Sequence, residues 1–556
     1  IEKIYNLKKG YFQSTLKNTC RKKQSLESNL HHLSWYLPND FYQRSECQKE
    51  EVISWIQRTI FSSDDEYAKN IASNQNQRYA INFPRIIGAL NGQLNKEYIW
   101  ARDYEPDPSM EGNILSPEVL ETELEDFIRF KTSTLTVLGY QRLESWGQKT
   151  AITAVRNLGA FFGALVATPD SPIKGYGIPL SSISMGILIM PRVWMWFIDW
   201  RKKRRGFYSA ADHTMIQLAL SLSRRETGWL RQKHELAHRL QPIPGLISQN
   251  EIDDAQYNWE KTCDDFHQYA LILARDIRRV LQTGRDRFHA ILPILESECP
   301  LSEYLKIAEE ILRLMPESEK NKKEKAEAVR SFLIVRLVLH LGVRQKNIRE
   351  LLICPKGSNR ASEASLIKEK RGEMRWNPNL ESWEVFIPAI AFKNSKSVFF
   401  KNQPYYLIIP DVGGLYHYID IYLNKYRMEL LGNLPDPKTF FVNSANKNSK
   451  NASYCQTTFS FAWITIIRKY GIYNPYTGRG AIEGLLPHGP HKVRDVLATH
   501  ILKKTGSYEI ASYSIQDTPE TIKRRYGRFS PHDKIKFAGR ILDQIWTIDK
   551  DVVVKL

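Results

Sequence analysis

Cysteine is scarce in this sequence, with six among 556 residues. Cys20, Cys47, Cys263, Cys299, Cys354 and Cys455 are scattered and form no CxxC pair. That excludes a disulfide scaffold and leaves no recognisable structural zinc site. His31 and His32, between Cys20 and Cys47, match no zinc spacing either. The usage fits a reducing cytoplasm. Long apolar runs are missing as well. The most apolar stretch lies between Lys174 and Arg192 and is broken by Pro179, Pro191 and three serines, too short and too interrupted to span a bilayer. There is no signal-peptide pattern, no repeat of fixed period and no long low-complexity tract. Acidic residues are outnumbered: 61 Asp and Glu stand against 79 Lys and Arg, a formal net charge of +18. Such a surplus suits a polyanionic partner, nucleic acid ahead of an anionic membrane. Apolar residues make up 42%, enough for real cores and too many for a disordered chain.

The length implies several domains. Residues 1–110 are polar, with interspersed aromatics (Trp35, Tyr36, Phe41, Tyr42), and read as an N-terminal helical domain of unknown role that could bind DNA. The run Glu105-Pro106-Asp107-Pro108-Ser109 is linker chemistry. Ser116-Pro117 is an N-cap followed by proline in the first turn, and Leu120, Leu124, Phe127 and Phe130-Lys131 continue an amphipathic helix. A second helix from about Thr150 carries Ile152, Val155, Leu158, Phe162 and Leu165. This second domain, 116–315, reads as helical. The charged stretch 316–325 separates it from a C-terminal domain, 325–556. There, 328–341 is a strongly apolar helix ended by Gly342. Trp383, Val385 and Ile387 alternate, Lys393-Asn394-Ser395-Lys396 turns, and Val398-Phe399-Phe400 returns, which reads as a β-hairpin. The fold class is mainly α with a small antiparallel β-sheet (α+β) in the C-terminal domain.

Two basic features stand out. Arg201, Lys202, Lys203, Arg204 and Arg205 follow an aromatic run, Trp194-Met195-Trp196-Phe197, and are candidate phosphate contacts; the alternative is a solvated helix end. Between 491 and 540, eleven Lys and Arg stand against five Asp and Glu. Four short segments then carry chemistry. Arg344 follows the helix-ending Gly342. Lys393 sits in the hairpin turn. His491 and Arg494 are three apart, one helix face. Tyr526 lies 32 residues beyond Arg494 in the run Arg524-Arg525-Tyr526-Gly527-Arg528. Two arginines can clamp the nonbridging oxygens of a phosphodiester. A lysine on a hairpin can enter the minor groove and give a proton to a leaving 5′-oxygen. A tyrosine is a competent nucleophile once a base or cationic field helps remove its proton. The scheme requires no metal and no cofactor.

In this order the segments resemble the catalytic domain of the tyrosine recombinase (phage integrase) family. Gly342-Val343-Arg344 is similar to the Gly-Leu-Arg of its first motif. Pro490-His491-Lys492-Val493-Arg494-Asp495-Val496-Leu497-Ala498-Thr499-His500-Ile501-Leu502 is similar to its strongest stretch, Pro-His-x-x-Arg-x-x-x-Ala-Thr-His-Leu-Leu. The resemblance covers about 325–530 and extends more weakly over 116–300, which is similar to the family's helical core-binding, DNA-clamping domain. It implies that Tyr526 attacks the phosphate and forms a 3′-phosphotyrosine, that Arg344 and Arg494 hold the phosphate, that His491 assists proton transfer and that Lys393 is the general acid. Lys396 competes for that role, or contacts DNA, because the Arg-to-Lys separation is longer than usual. One departure is Asp517, where the family has a His or Trp. It either substitutes at that catalytic position, holding Arg344 or Arg494, or caps the helix after Thr518-Pro519; the cap is the preferred reading. His500 reads as packed.

The implied activity is site-specific cleavage and rejoining of DNA as an integrase, transposase or other recombinase of a mobile element. The alternative is a DNA-binding assembly or regulatory protein that kept the fold with reduced catalysis. The expected partners are double-stranded DNA, further copies of the chain on DNA (dimer to tetramer), and accessory DNA-bending or element-encoded proteins, with no membrane. The expected location is the bacterial cytoplasm, at the nucleoid. Residues 531–549 carry an apolar stripe, expected to form a C-terminal helix that docks on a neighbouring copy, with docking on its own catalytic domain as the alternative.

Overall fold

The computed structural model describes residues 33–61, 79–92, 114–281, 286–317, 321–395, 397–445, 449, 451–527, 538–539 and 542. The expectations for His31, His32, Cys20, Lys396, the 105–109 linker and most of the 531–549 stripe lie outside them. The chain divides into two compact units, one holding Asp65–Arg285 and the other Asp286–Leu556 together with Lys22–Asp64. The division precedes the charged stretch at 316–325, and residues 33–61 fall with the C-terminal unit. Among the described residues no helix is long and apolar enough to cross a membrane.

The principal helices of the first unit are α1 (Glu118–Thr132), α2 (Gln148–Val166), α3 (Pro191–Arg205), α4 (Ala210–Ser223) and α5 (Trp259–Val280). The expected stripes are the buried faces. Leu120, Leu124 and Phe127 of α1 meet Val155, Leu158, Phe162 and Leu165 of α2 in one core, while Ile152 sits at its margin. The start of α1 differs by one residue: Pro117 occupies the cap position, and no side chain caps the helix. Gly163 on α2 has a spacing role. A Cβ there would overlap the Tyr79 carbonyl oxygen, so only glycine lets this segment lie against the helix.

The second unit is built around two helices, α7 (Lys322–Leu341) and α8 (His491–Thr505). Packed about them are α6 (Pro300–Arg313), α9 (Tyr508–Ile515) and α10 (Pro519–Tyr526). From Phe332 to Leu341 nearly every residue of α7 is buried, the pattern of a helix enclosed on all sides rather than an amphipathic one. Gly342 ends it in left-handed backbone with φ of 59°.

A four-stranded mixed sheet, ordered β1 (Leu352–Cys354), β2 (Glu373–Asn377), β3 (Ser382–Ile387), β4 (Tyr405–Ile409), flanks the helices. It is antiparallel from β2 to β4, as the small antiparallel sheet expected from the sequence, and β1 runs parallel to β2, which makes the whole sheet mixed. The expected hairpin is corrected. Strand β3 pairs with β4, in register Trp383 to Ile409, across the long connection 388–404. The run Val398–Phe400 is a 3-10 turn, not the return strand. Its apolar side chains go elsewhere: Phe399 packs on Tyr513 of α9 at 4.9 Å between ring centroids, and Phe400 is buried beside them. The tight hairpin is β2–β3, whose turn places Glu381 at positive φ.

Within the same unit, the helix Glu46–Trp55 is closed at its start by a capping box of Ser45 and Gln48. The preceding segment is tied to residues 469–479: Trp35 Nε1 donates to the Lys469 carbonyl at 3.3 Å, Arg479 Nη1 donates to the Trp35 carbonyl at 2.9 Å, and Asn474 Nδ2 donates to the Tyr36 carbonyl at 3.0 Å. Residues 33–61 are thus part of the C-terminal unit, whereas the sequence suggested a separate N-terminal domain. Backbone carbonyls serve as most of the acceptors, and they leave no trace in side-chain pattern.

Gly342 is tightly constrained. A Cβ there would come within 2.3 Å of the Ser514 carbonyl oxygen. Gly342→Ala is expected to lower stability by at least the ~1–2 kcal/mol of left-handed backbone, with the clash added. An unchanged urea midpoint for this variant would refute the close approach of α7 to the end of α9.

Candidate active site

The site forms where the end of α7, the first turns of α8 and the α9–α10 connection meet. Arg344 lies two residues past Gly342, at the cap of the short helix Gln345–Arg349. Arg494 is on the second turn of α8 and is only 1% exposed. Its Nη1 donates to the Gly342 carbonyl at 3.0 Å, tying the two arginine-bearing segments together. The entry to α8 is held from α6: Tyr304 Oη and His488 Nε2 are 2.7 Å apart in the interior. Burial pushes the His488 imidazole down to about 4, so the ring stays neutral.

The buried Arg494 guanidinium and the half-buried Arg344 guanidinium repel each other, and an anion between them offsets this. Asp517 supplies it. Its Oδ2 is 3.2 Å from Arg494 Nη2, 3.4 Å from Arg344 Nη2 and 3.8 Å from Arg525 Nη1. Its Oδ1 accepts from Asn394 Nδ2 at 3.1 Å, which brings the 388–404 connection to the site, and from the Thr518 amide at 3.3 Å. No side chain caps α10, so pairing with the arginines, not capping, is what Asp517 does in this structure. Dehydration raises the Asp517 carboxyl, but Arg344, then Arg494, outweigh it and hold the group below its ordinary value. Burial, followed by the Arg344 charge, pushes Arg494 down to about 10. Arg494 Nε is buried and has no hydrogen-bond partner among the described residues.

Tyr526 ends α10 and is 1% exposed. Its hydroxyl donates to Asp495 Oδ1 at 2.6 Å. The same oxygen accepts from Arg287 Nη2 at 3.0 Å, and Lys492 Nζ faces Oδ2 at 3.5 Å. Burial and then the Asp495 charge push the phenol well above its ordinary value, while Arg287 and Arg494 pull it down. His491, at the start of α8, meets solvent on one side. Dehydration first, and the Arg494 charge next, push its imidazole down, against an upward pull from Asp495. Lys393 is exposed on the connection, next to Asn394. His500 is half-buried, with Nδ1 3.9 Å from Cys299 Sγ.

The structure therefore brings Arg344, Arg494, Asp517, Arg525 and Asn394 onto one point, and sets Tyr526 beside them on Asp495. Asn394 stood in the expected hairpin turn, but nothing local marked it as a partner of Asp517. Asp495 lay inside the strongest motif, unmarked because it continues a buried helix face. Arg287 had no local signal: it meets Asp495 across more than two hundred residues.

The basic run 201–205 is a braced helix end in the first unit. Arg201 is 8% exposed and bound to Asp212, which removes it as a phosphate contact. Lys203 pairs with Asp199 at 2.8 Å, Lys202 lies over the Tyr208 ring, Arg204 stacks 4.9 Å from the Trp200 ring, and Arg205 donates to Ser209. Gly206 closes the helix in left-handed backbone. Cations gathered at a helix C-terminus are also favoured by its dipole.

Among solved structures, the chain is similar to XerH site-specific recombinase bound to palindromic difH substrate in a post-cleavage complex. Identity is 12%, the likeness covers 76% of this chain and 95% of that one, and the TM-score is 0.32. A pre-cleavage complex of XerH with difH substrate is similar at 12% identity and a TM-score of 0.29, over 73% of this chain and 93% of the other. No family model and no curated protein matches the chain. Among the described residues no group of three or more His, Cys, Asp or Glu side chains is placed to hold a metal ion.

Removing the Asp517 carboxylate leaves the buried Arg494 guanidinium and the half-buried Arg344 guanidinium uncompensated. Asp517→Ala is expected to cost up to about 3–5 kcal/mol of stability at neutral pH, the usual penalty for breaking a buried pair, with inorganic sulfate restoring part of it. The sign with pH follows from the depressed carboxyl. Its contribution is present above the ordinary Asp value of about 3.9 and is lost as the pH falls through the lower folded value. The Asn variant should accordingly show a flatter acid limb in urea unfolding between about pH 2 and 5. Equal acid limbs for wild type and Asn variant would show that the arginines do not depend on this carboxylate.

Proposed function

We propose that this protein cleaves and rejoins DNA strands through a 3′-phosphotyrosine intermediate, as a recombinase of the tyrosine type. The observation that carries the reading is the convergence of Arg344 and Arg494 on one carboxylate oxygen beside a buried tyrosine. Two guanidiniums aimed at one oxygen form an oxyanion site, and the carboxylate in it marks where a phosphate oxygen would bind. A phosphodiester entering the site exchanges with Asp517 and takes over its arginine contacts. The unpartnered Arg494 Nε offers a further donor.

In the proposed reaction, Tyr526 Oη attacks phosphorus, the bond to the 5′-oxygen breaks, and the arginines compensate the charge that builds on the nonbridging oxygens. Lys393, exposed on a connection already anchored at the site by Asn394, protonates the departing 5′-oxygen. His491, held neutral, exchanges protons with the phosphate oxygens. The phosphotyrosine keeps the energy of the broken bond, so a 5′-hydroxyl from another strand can reseal it without an external energy source. The first unit would clamp the duplex, with several copies acting together on paired sites at the nucleoid. Integration or transposition of a mobile element is the setting proposed. Double-stranded DNA is the substrate class, consistent with the net charge of +18.

The test uses nicked duplexes drawn from a random-sequence pool by adduct formation with the full chain. Tyr526→Phe should abolish the covalent adduct while DNA binding survives. Arg344→Ala and Arg494→Ala should each slow adduct formation at least about a hundredfold, since one preorganised donor to a developing charge contributes roughly 2.7–4 kcal/mol. An adduct from the Phe variant in normal yield would disprove the assignment of the nucleophile. Binding without any wild-type adduct would favour the assembly-protein alternative.

A further inference from the structure

Every account of a tyrosine nucleophile must say where its proton goes, and in this chain the group in contact with that proton is Asp495. The carboxylate is fully buried at 0% exposure, and its Oδ1 accepts the Tyr526 hydroxyl at 2.6 Å. His491 faces solvent, and no hydrogen bond joins it to Tyr526 among the described residues. We propose that Asp495 is the catalytic base that receives the Tyr526 proton during cleavage, an inference that rests on the strand-transfer reading above.

The geometry supports this in three ways. First, Asp495 follows Arg494 directly on α8, so the base and the phosphate clamp are held at a fixed spacing by one rigid helix. Second, Arg287 and Lys492 face the carboxylate from the 286–288 segment and from the first turn of α8. These cations flank a carboxylate that is shut off from solvent. Third, Phe288 packs 6.1 Å from the Tyr526 ring, so the phenol is held against its acceptor rather than left to rotate. The transfer accompanies bond formation to phosphorus, which sharply lowers the proton affinity of Oη as it proceeds.

The step balances without any added reagent. The Oη–H bond breaks and its electron pair forms the Oη–P bond. The P–O5′ bond breaks, and its pair leaves with the 5′-oxygen, which is protonated by the general acid. Asp495 holds the phenolic proton as a carboxylic acid and returns it to Oη when a 5′-hydroxyl reseals the strand.

The experiment compares the full chain with Asp495→Asn on the nicked duplexes selected by the wild-type protein. The Asn side chain can still accept the Tyr526 hydrogen bond but cannot take the proton. Adduct formation should fall at least about a hundredfold, within the 10²–10⁴ range of a positioned base, while DNA binding by gel shift stays within about twofold. Trifluorotyrosine at position 526, whose phenol ionises far more readily, should restore most of the lost rate in the Asn background. A merely structural carboxylate would give no such rescue. Asp495→Glu, which keeps a carboxylate with shifted oxygens, should fall between wild type and Asn, and it carries the test if the Asn variant fails to fold. Wild-type or faster cleavage by Asp495→Asn would overturn the proposal, as would an unrescued loss or equal rates for the Glu and Asn variants. If wild type itself gives no adduct, the strand-transfer reading fails first and is recognised separately.

Discussion

A buried Arg494 and a half-buried Arg344 set side by side need an anion between them, and the arrangement of the candidate site follows from that constraint. The anion is the Asp517 carboxylate, at 3.4 Å and 3.2 Å from their guanidiniums. It fixes the α9–α10 connection against the end of α7, and through Asn394 it also fixes the long connection between β3 and β4. The site is therefore closed by its own side chain. Under the proposed function, a phosphate has to replace an existing ion pair rather than fill a vacancy, so binding trades one charge-assisted network for another.

Helix α8 gives this constraint its rigidity. It packs against α6, α7, α9 and α10, and carries Arg494 and Asp495 at adjacent positions. Arg494 turns toward the carbonyl of Gly342, while Asp495 turns toward Tyr526 and Arg287. One helix thus separates two electrostatic centres, a cationic one that suits a phosphate and an anionic one that suits a phenolic proton. Strain at the end of α7 is avoided only because residue 342 has no Cβ to meet the Ser514 carbonyl.

The positive charge of the chain is not spent evenly. The run 201–205 is the densest cluster of cations in the sequence, yet its members are largely engaged with Asp199, Asp212, Ser209 and aromatic rings. The isolated arginines 344 and 494 are the ones gathered around a single carboxylate, that of Asp517. Density of charge along the chain is thus a poorer guide to an anion site than convergence in space.

Features set within a few residues were legible in the sequence. The buried stripes of α1 and α2, the enclosed helix α7, its glycine stop and the order of Arg344, His491, Arg494 and Tyr526 all follow from helical periodicity, backbone freedom at glycine and short motifs, each of which acts locally. The β3 alternation was equally readable, but its partners were not. Val398–Phe400 has strand composition, yet it forms a 3-10 turn whose Phe399 and Phe400 rings pack on Tyr513 of α9. The tertiary structure alone decided that residues 33–61 join the C-terminal unit, that Asp517 pairs with arginines instead of capping a helix, that Arg201 is buried on Asp212, and that Tyr526 rests on Asp495 beside Arg287. In each case the deciding contact is an ion pair, a ring contact or a bond to a backbone carbonyl, most of them between residues far apart in the chain. Such contacts depend on how the helices pack, and no local pattern of residues encodes that distance.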